Sequence, residues 1–117
     1  MIITLIGERP ISWNKVNGRA HWSVRRGETD RVHELVRDAL AKLNPRRLTG
    51  PVSIRITVYF KDRPLDSDNV CDKPYIDALK GVIIPDDHFG IVWEATTCSR
   101  IDKKNPRLEI KVEEIAA

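Results

Sequence analysis

Three stretches of this 117-residue chain predict an α+β fold, a mixed sheet with its helices mainly on one face. Residues 52–60 alternate apolar and polar, as a strand with one buried face does. Residues 29–43 carry Val32, Leu35, Val36, Ala39, Leu40 and Leu43 at the i, i+3, i+4, i+7 spacing of an amphipathic helix. Two further strand-like stretches, 90–99 and 107–115, close the chain. The expected order is β-α-β-α-β-β in a single domain, 1–117, a length that suits one core.

Taken in order, residues 2–6 read as a buried strand; this apolar stretch is short and lacks the basic flank and cleavage site of a secretion signal. Residues 7–27 hold Gly7, Pro10, Asn14, Asn17, Gly18 and Gly27, which predicts a long loop. Thr29 or Asp30 can cap the first helix, and Asn44-Pro45 stops it. A second helix is expected over 72–80, because Pro74 is tolerated only in a first turn and Gly81 suits the C-terminal end. Asp102-Lys103-Lys104-Asn105-Pro106 looks like a hairpin turn between the last two strands, with Trp93 in the core.

Composition narrows the function. No apolar run approaches a membrane span, so no membrane association is expected. Cys71 and Cys98 form neither a disulfide framework nor a metal pattern, which makes a reducing cytoplasm the default. His21, His33 and His88 form no zinc pattern, with His33 expected on the helix surface. The serines show no nucleophile elbow, and no glycine-rich phosphate loop is present, so no nucleotide cofactor is expected.

Charge is unevenly distributed. Residues 1–65 hold 13 Lys/Arg against 6 Asp/Glu, and residues 66–117 hold 7 against 11. The basic half can attract phosphates and gain from counterion release. Within the long loop, Arg9, Lys15, Arg19, Arg25 and Arg26 are interleaved with Trp13, Asn14 and Trp22, a mixture that suits backbone tracking and base stacking; Arg63 adds to it before the first acidic cluster. Trp13 and Trp22 serve either as loop packing or as a stacking platform.

The acidic residues carry the chemistry. Asp66 and Asp68 precede the second helix, and Asp86 and Asp87 follow it. Carboxylates brought together need a cation, and hard oxygen donors select Mg²⁺, with Mn²⁺ as a substitute. Asp-Ser-Asp-Asn is equally good turn and cap chemistry, and Asp86-Asp87 after Pro85 also suits an ordinary turn. Lys73, Asp77 and Lys80 share a helix face; an ion-pair ladder explains Lys80, whereas Lys73, in the first turn, is placed to hold a phosphate. A small basic chain with an acidic metal nest reads as an enzyme that cuts nucleic acid.

The run Asp66-Ser67-Asp68-Asn69, Lys73, Asp77-Ala78-Leu79 and Asp86-Asp87 resembles the RusA family of Holliday junction resolvases. The stretches Pro51–Ile56, Arg107–Ile110 and Pro10-Ile11-Ser12-Trp13-Asn14 are also similar to that family. The resemblance implies a homodimeric, Mg²⁺-dependent endodeoxyribonuclease, often phage- or prophage-encoded, that makes paired nicks in branched DNA, above all four-way junctions. It implies Asp66, Asp68 and Asp87 as catalytic metal ligands, with Asp86 the alternative to Asp87, and Lys73 on the phosphate. Lys73 stands five residues after Asp68 where the family usually has four, with Asp72 in the expected place, so either the helix start restores Lys73 or its role is lost. Two other functions fit the same residues: a non-catalytic module for branched or single-stranded nucleic acid, and a phosphodiesterase acting on flaps or RNA.

Overall fold

The computed structural model describes residues 1–17 and 22–115. Its elements are β1 (Ile2–Ile6), α1 (Trp13–Asn17), α2 (Trp22–Leu43), β2 (Val52–Phe60), a 3-10 turn (Ser67–Asn69), α3 (Lys73–Leu79), β3 (Val92–Ile101) and β4 (Arg107–Glu114). The four strands form one mixed sheet in the order β1-β4-β2-β3. The α+β class and the β-α-β-α-β-β order are as expected, with α1 and the 3-10 turn added.

β2 is the spine. It pairs parallel with β3 on one side and antiparallel with β4 on the other. A parallel pair needs a crossover, and residues 61–91, with α3 in their middle, supply it. Val52, Ile54, Ile56, Val58 and Phe60 are buried along one face of β2, joined by Ile3 and Leu5 of β1 and by Leu108, Ile110 and Val112 of β4. Val32, Val36 and Leu40 of α2 and Tyr75, Ala78 and Leu79 of α3 belong to the same core.

Six sequence expectations are corrected. Residues 7–27 are not one loop: α1 lies within them and α2 begins at Trp22 rather than 29. Thr29 does not cap the helix; its Oγ1 donates back to the Arg25 carbonyl at 3.0 Å. Gly27 costs a helix interior about 1 kcal/mol, which a 22-residue helix packed on the sheet absorbs. β1 is buried on one face only, with Ile6 89% exposed, because α2 and α3 pack with Ile3 and Leu5 on the opposite face. The 102–106 segment is not a hairpin turn. It carries the chain past the end of β2, so that β3 and β4 flank that strand instead of pairing; the Asp102 N–H donates to the Phe60 carbonyl at 2.9 Å. Trp93 is 54% exposed rather than core, because the register shift opposite Val52 and Ser53 leaves it without a partner on β2. His33 is half-buried, with a buried Nε2.

Two local features yield predictions. Asn44 ends α2 at φ 46°, in the left-handed region, with its N–H on the Leu40 carbonyl at 2.9 Å. Asn44→Ala is expected to lose about 1 kcal/mol, whereas Asn44→Gly keeps full stability, as read by thermal denaturation. In the 102–106 segment, Arg107 donates to Asp102 Oδ2 at 3.0 Å and stacks over the Tyr59 ring at 3.8 Å. This guanidinium, with the Asn105 N–H, holds the Asp102 carboxyl below the usual aspartate range. A lowered folded-state value contributes stability above the unfolded-state value and loses it as pH falls through the folded one. An NMR titration should place Asp102 below an ordinary aspartate, and Arg107→Ala should return it towards that range.

Candidate active site

The segment that carries Asp66 and Asp68 is held from two sides. On one side it docks on β3: Ser67 Oγ accepts the Ser99 N–H at 3.0 Å, and the Thr97 hydroxyl donates to the Ser67 carbonyl. On the other it grips the basic N-terminal segment. Ser12 Oγ accepts the Lys15 N–H at 3.1 Å, and Asn69 Oδ1 accepts the Asn14 N–H at 3.0 Å, so two first-turn donors of α1 are satisfied. The Cys71 N–H donates to the Ile11 carbonyl at 3.1 Å, and Ser12 and Val70 form a bridge. The stretch with Trp13, Asn14 and Lys15 therefore sits directly beside the Asp66–Asn69 loop.

Asp66 precedes the 3-10 turn with extended backbone and makes no side-chain capping bond. Both Asp66 and Asp68 are exposed. Lys73 is the first residue of α3, after Asp72 at the N-cap position.

The second acidic group is built differently. Lys73 Nζ lies 3.7 Å from Asp77 Oδ1, and Lys80 Nζ lies 3.8 Å from Asp77 Oδ1 and 3.5 Å from Asp87 Oδ1. Asp77 and Asp87 are neighbours. Burial, then the adjoining Asp87 carboxylate, pushes Asp77 above the usual aspartate range. For Asp87, burial works against the charge, but hydrogen bonding from Asp77 and Asp86 and the Lys80 ammonium outweigh it and hold the group low. The pair is therefore pushed in opposite directions, Asp77 towards its neutral form and Asp87 towards its charged one. Asp86 shapes the turn, its Oδ1 accepting the Asp87 N–H at 2.7 Å.

These donors fit a hard cation in kind, being carboxylate oxygens, and Asp77 Oδ1 is buried without a hydrogen-bond partner. Their arrangement is two sets, Asp66 with Asp68 and Asp77 with Asp87. Among the described residues no three acidic, His or Cys side chains stand together as a ready-made metal group. Sequence reasoning treated Asp77 as a rung of an ion-pair ladder and missed its contact with Asp87. Its signal was the Lys73-Asp77-Lys80 spacing, which shows the shared helix face but not the loop that meets it.

The expected nucleic-acid residues fall into groups. Trp13 is half-buried; Asn14, Lys15, Arg25, Arg26 and Arg63 are exposed; Arg19 and the side chain of Trp22 lie outside the described residues. Arg9 is engaged with its own chain, donating to the Asp62 and Arg63 carbonyls at 3.4 and 2.9 Å and lying over the Phe60 ring at 4.9 Å. Cys71 is buried nearby; burial pushes its thiol up to about 11, so it is no nucleophile at neutral pH. His88 Nδ1 accepts the Gly90 N–H at 3.0 Å, turning the loop after Asp87. Among the described residues no helix is long and apolar enough to cross a membrane.

No curated protein sequence matches the chain. The family model for endodeoxyribonuclease RusA matches residues 8–113. That span runs from the buried Glu8 to the penultimate residue of β4 and takes in both acidic sets, α3 and the segment stitched to them. A match over nearly the whole domain means that this chain belongs to the RusA endodeoxyribonuclease family.

Proposed function

We propose that this protein is a Mg²⁺-dependent endodeoxyribonuclease that resolves four-way DNA junctions by paired nicks in recombination and repair, acting in the cytoplasm as a homodimer. Membership of the family, whose activity is Holliday junction resolution, supports the nuclease reading. The observation that carries it to particular residues is the attachment of the basic α1 segment to the Asp66–Asn69 loop, through Asn14–Asn69 and Ile11–Cys71. A DNA strand tracked by Lys15 and Arg25 would pass beside the carboxylates.

Asp66, Asp68 and Asp87 would hold the cation, with Asp86 next to them. When bound, Mg²⁺ supplies polarisation of the phosphoryl group and a more acidic water. Lys73 neutralises phosphate charge from the first turn of α3. Lys80 favours the charged form of Asp87, so the loop presents an ionised carboxylate to the cation. Two-fold symmetry of a junction matches a two-fold dimer with one site per protomer, which sets two nicks opposite each other.

The test is a synthetic four-way junction incubated with the protein, with and without Mg²⁺ or Mn²⁺, beside a flap and a linear duplex in the same salt. Paired nicks in the junction alone, dependent on metal, are expected. Preference for the flap would make the protein a general phosphodiesterase. One observation favours a non-catalytic module: the absence, among the described residues, of three converging acidic, His or Cys side chains. Junction binding with no cleavage in either metal would establish that reading.

A further inference from the structure

Beside the acidic sets lies a cavity of about 290 Å³ between α1, α2 and α3. Ile11, Trp13, Val16 and Pro74 line it, and its lining carries two cations, Arg25 and Lys73, beside two carboxylates, Glu28 and Asp77. Its size is just below the roughly 300 Å³ at which pockets begin to take drug-sized molecules, a scale suited to a single heterocycle. Lys73 belongs both to this cavity and, through Asp77, to the second acidic set.

We propose that this cavity receives one unstacked nucleobase from the branch point of the DNA. The inference rests on the nucleic-acid reading above and adds to it a means of substrate choice. Apolar and aromatic walls accept the face of a base of any identity, because every base presents a π-face. The two cations complement the phosphates on either side of it. A nucleotide has this combination, a flat weakly polar ring joined to an anion, whereas a fully stacked duplex offers no ring to insert. Taking a base out of a stack costs least where it is already unpaired, so the pocket discriminates in favour of a branch. With Lys73 shared, the phosphate next to the inserted base is the one carried to Asp77 and Asp87.

The position of Trp13 is the structural basis. Its segment is fixed by Ser12 capping and by the Asn14–Asn69 bond, so the backbone that carries the indole is held in place before DNA arrives. That preorganisation lowers the ordering cost of binding.

The experiment measures binding in Ca²⁺, without Mg²⁺, to a fluorescein-labelled four-way junction carrying one unpaired adenine at the branch point. The comparison is the same junction with an abasic residue there. Wild-type protein should prefer the adenine-bearing junction by about tenfold or more. Trp13→Ala should lose more affinity for the adenine-bearing junction than for the abasic one, so that the preference disappears, and Trp13→Phe should keep it. Val16→Trp, which fills the cavity without removing a wall, should also abolish it and serves if Trp13→Ala does not fold. Equal wild-type affinity for the two junctions, or the same loss on both in Trp13→Ala, would overturn the proposal. Nicking in Mg²⁺ is scored separately, so a protein that cuts without this preference loses the pocket alone, and one that shows the preference without cutting loses the nuclease reading alone.

Discussion

Asp66→Asn is expected to lower junction cleavage by on the order of a thousandfold or more while leaving junction affinity unchanged or higher. With Asp66 as the proposed ligand, loss of its oxygen weakens charge stabilisation in the transition state by several kcal/mol. The same change removes a negative charge facing phosphate, which favours binding. The structure makes this a clean substitution. Asp66 is exposed, its backbone is extended, and its carboxylate caps nothing, so Asn leaves the fold untouched. Single-turnover cleavage and gel-shift affinity, measured on one preparation, separate the two effects. A variant that cuts at the wild-type rate would remove Asp66 from the site.

Glu8→Ala is expected to destabilise the protein by about 2 kcal/mol, the scale for leaving a buried donor such as the Tyr75 hydroxyl without its partner. Glu8 is the buried charged residue of the core region, with its side chain only 5% exposed. Arg31 clasps it in bidentate fashion at 2.9 and 3.0 Å, and the Tyr75 hydroxyl donates to its Oε2 at 2.7 Å. Glu28 holds the other side of Arg31 at 2.7 Å. Burial, then the Glu8 carboxylate, pushes the Tyr75 phenol far above its ordinary value, so it stays a donor throughout the working range of pH. The network ties the chain after β1 to α2 and α3, and α3 carries Lys73 and Asp77. Removing Glu8 strands a buried hydroxyl and half of a guanidinium. Tyr75→Phe should cost less, about 1 kcal/mol, because it removes a single hydrogen bond and leaves the Arg31 clasp intact. Urea denaturation of both single variants and the double variant measures the coupling, and additive losses would show that Glu8 and Tyr75 do not act together.

Local pattern made much of the sheet legible. The alternation in 52–60 specifies a strand with a buried face, and Val52–Phe60 is that strand. The helical period of 29–43 placed the core-facing side of α2 correctly, with Val32, Val36 and Leu40 buried, but not its start. Gly27 and Thr29 suggested a boundary that the longer helix overrides, because packing and seven extra residues of helix outweigh one weak position. Lys73 at the start of α3 follows from Pro74, whose ring fixes the first turn.

Residue types and spacing along the chain determined the class of fold, the helix and strand faces, the acidic residues that flank α3 and the likeness to the RusA family. These depend on local backbone preference and on the periods of 3.6 and 2, which a linear sequence carries in full. Which strand lies beside which, that β4 pairs with β2 instead of with β3, that Glu8 meets Tyr75, that Asp77 faces Asp87, and that Trp13 closes a cavity beside Lys73 were decided only in three dimensions. Glu8 and Tyr75 are 67 positions apart, and β1 and β4, which pair Ile2 with Lys111, come from opposite ends of the chain. Side-chain identity states that each of them needs a partner, while the choice of partner comes from the packing of the whole core.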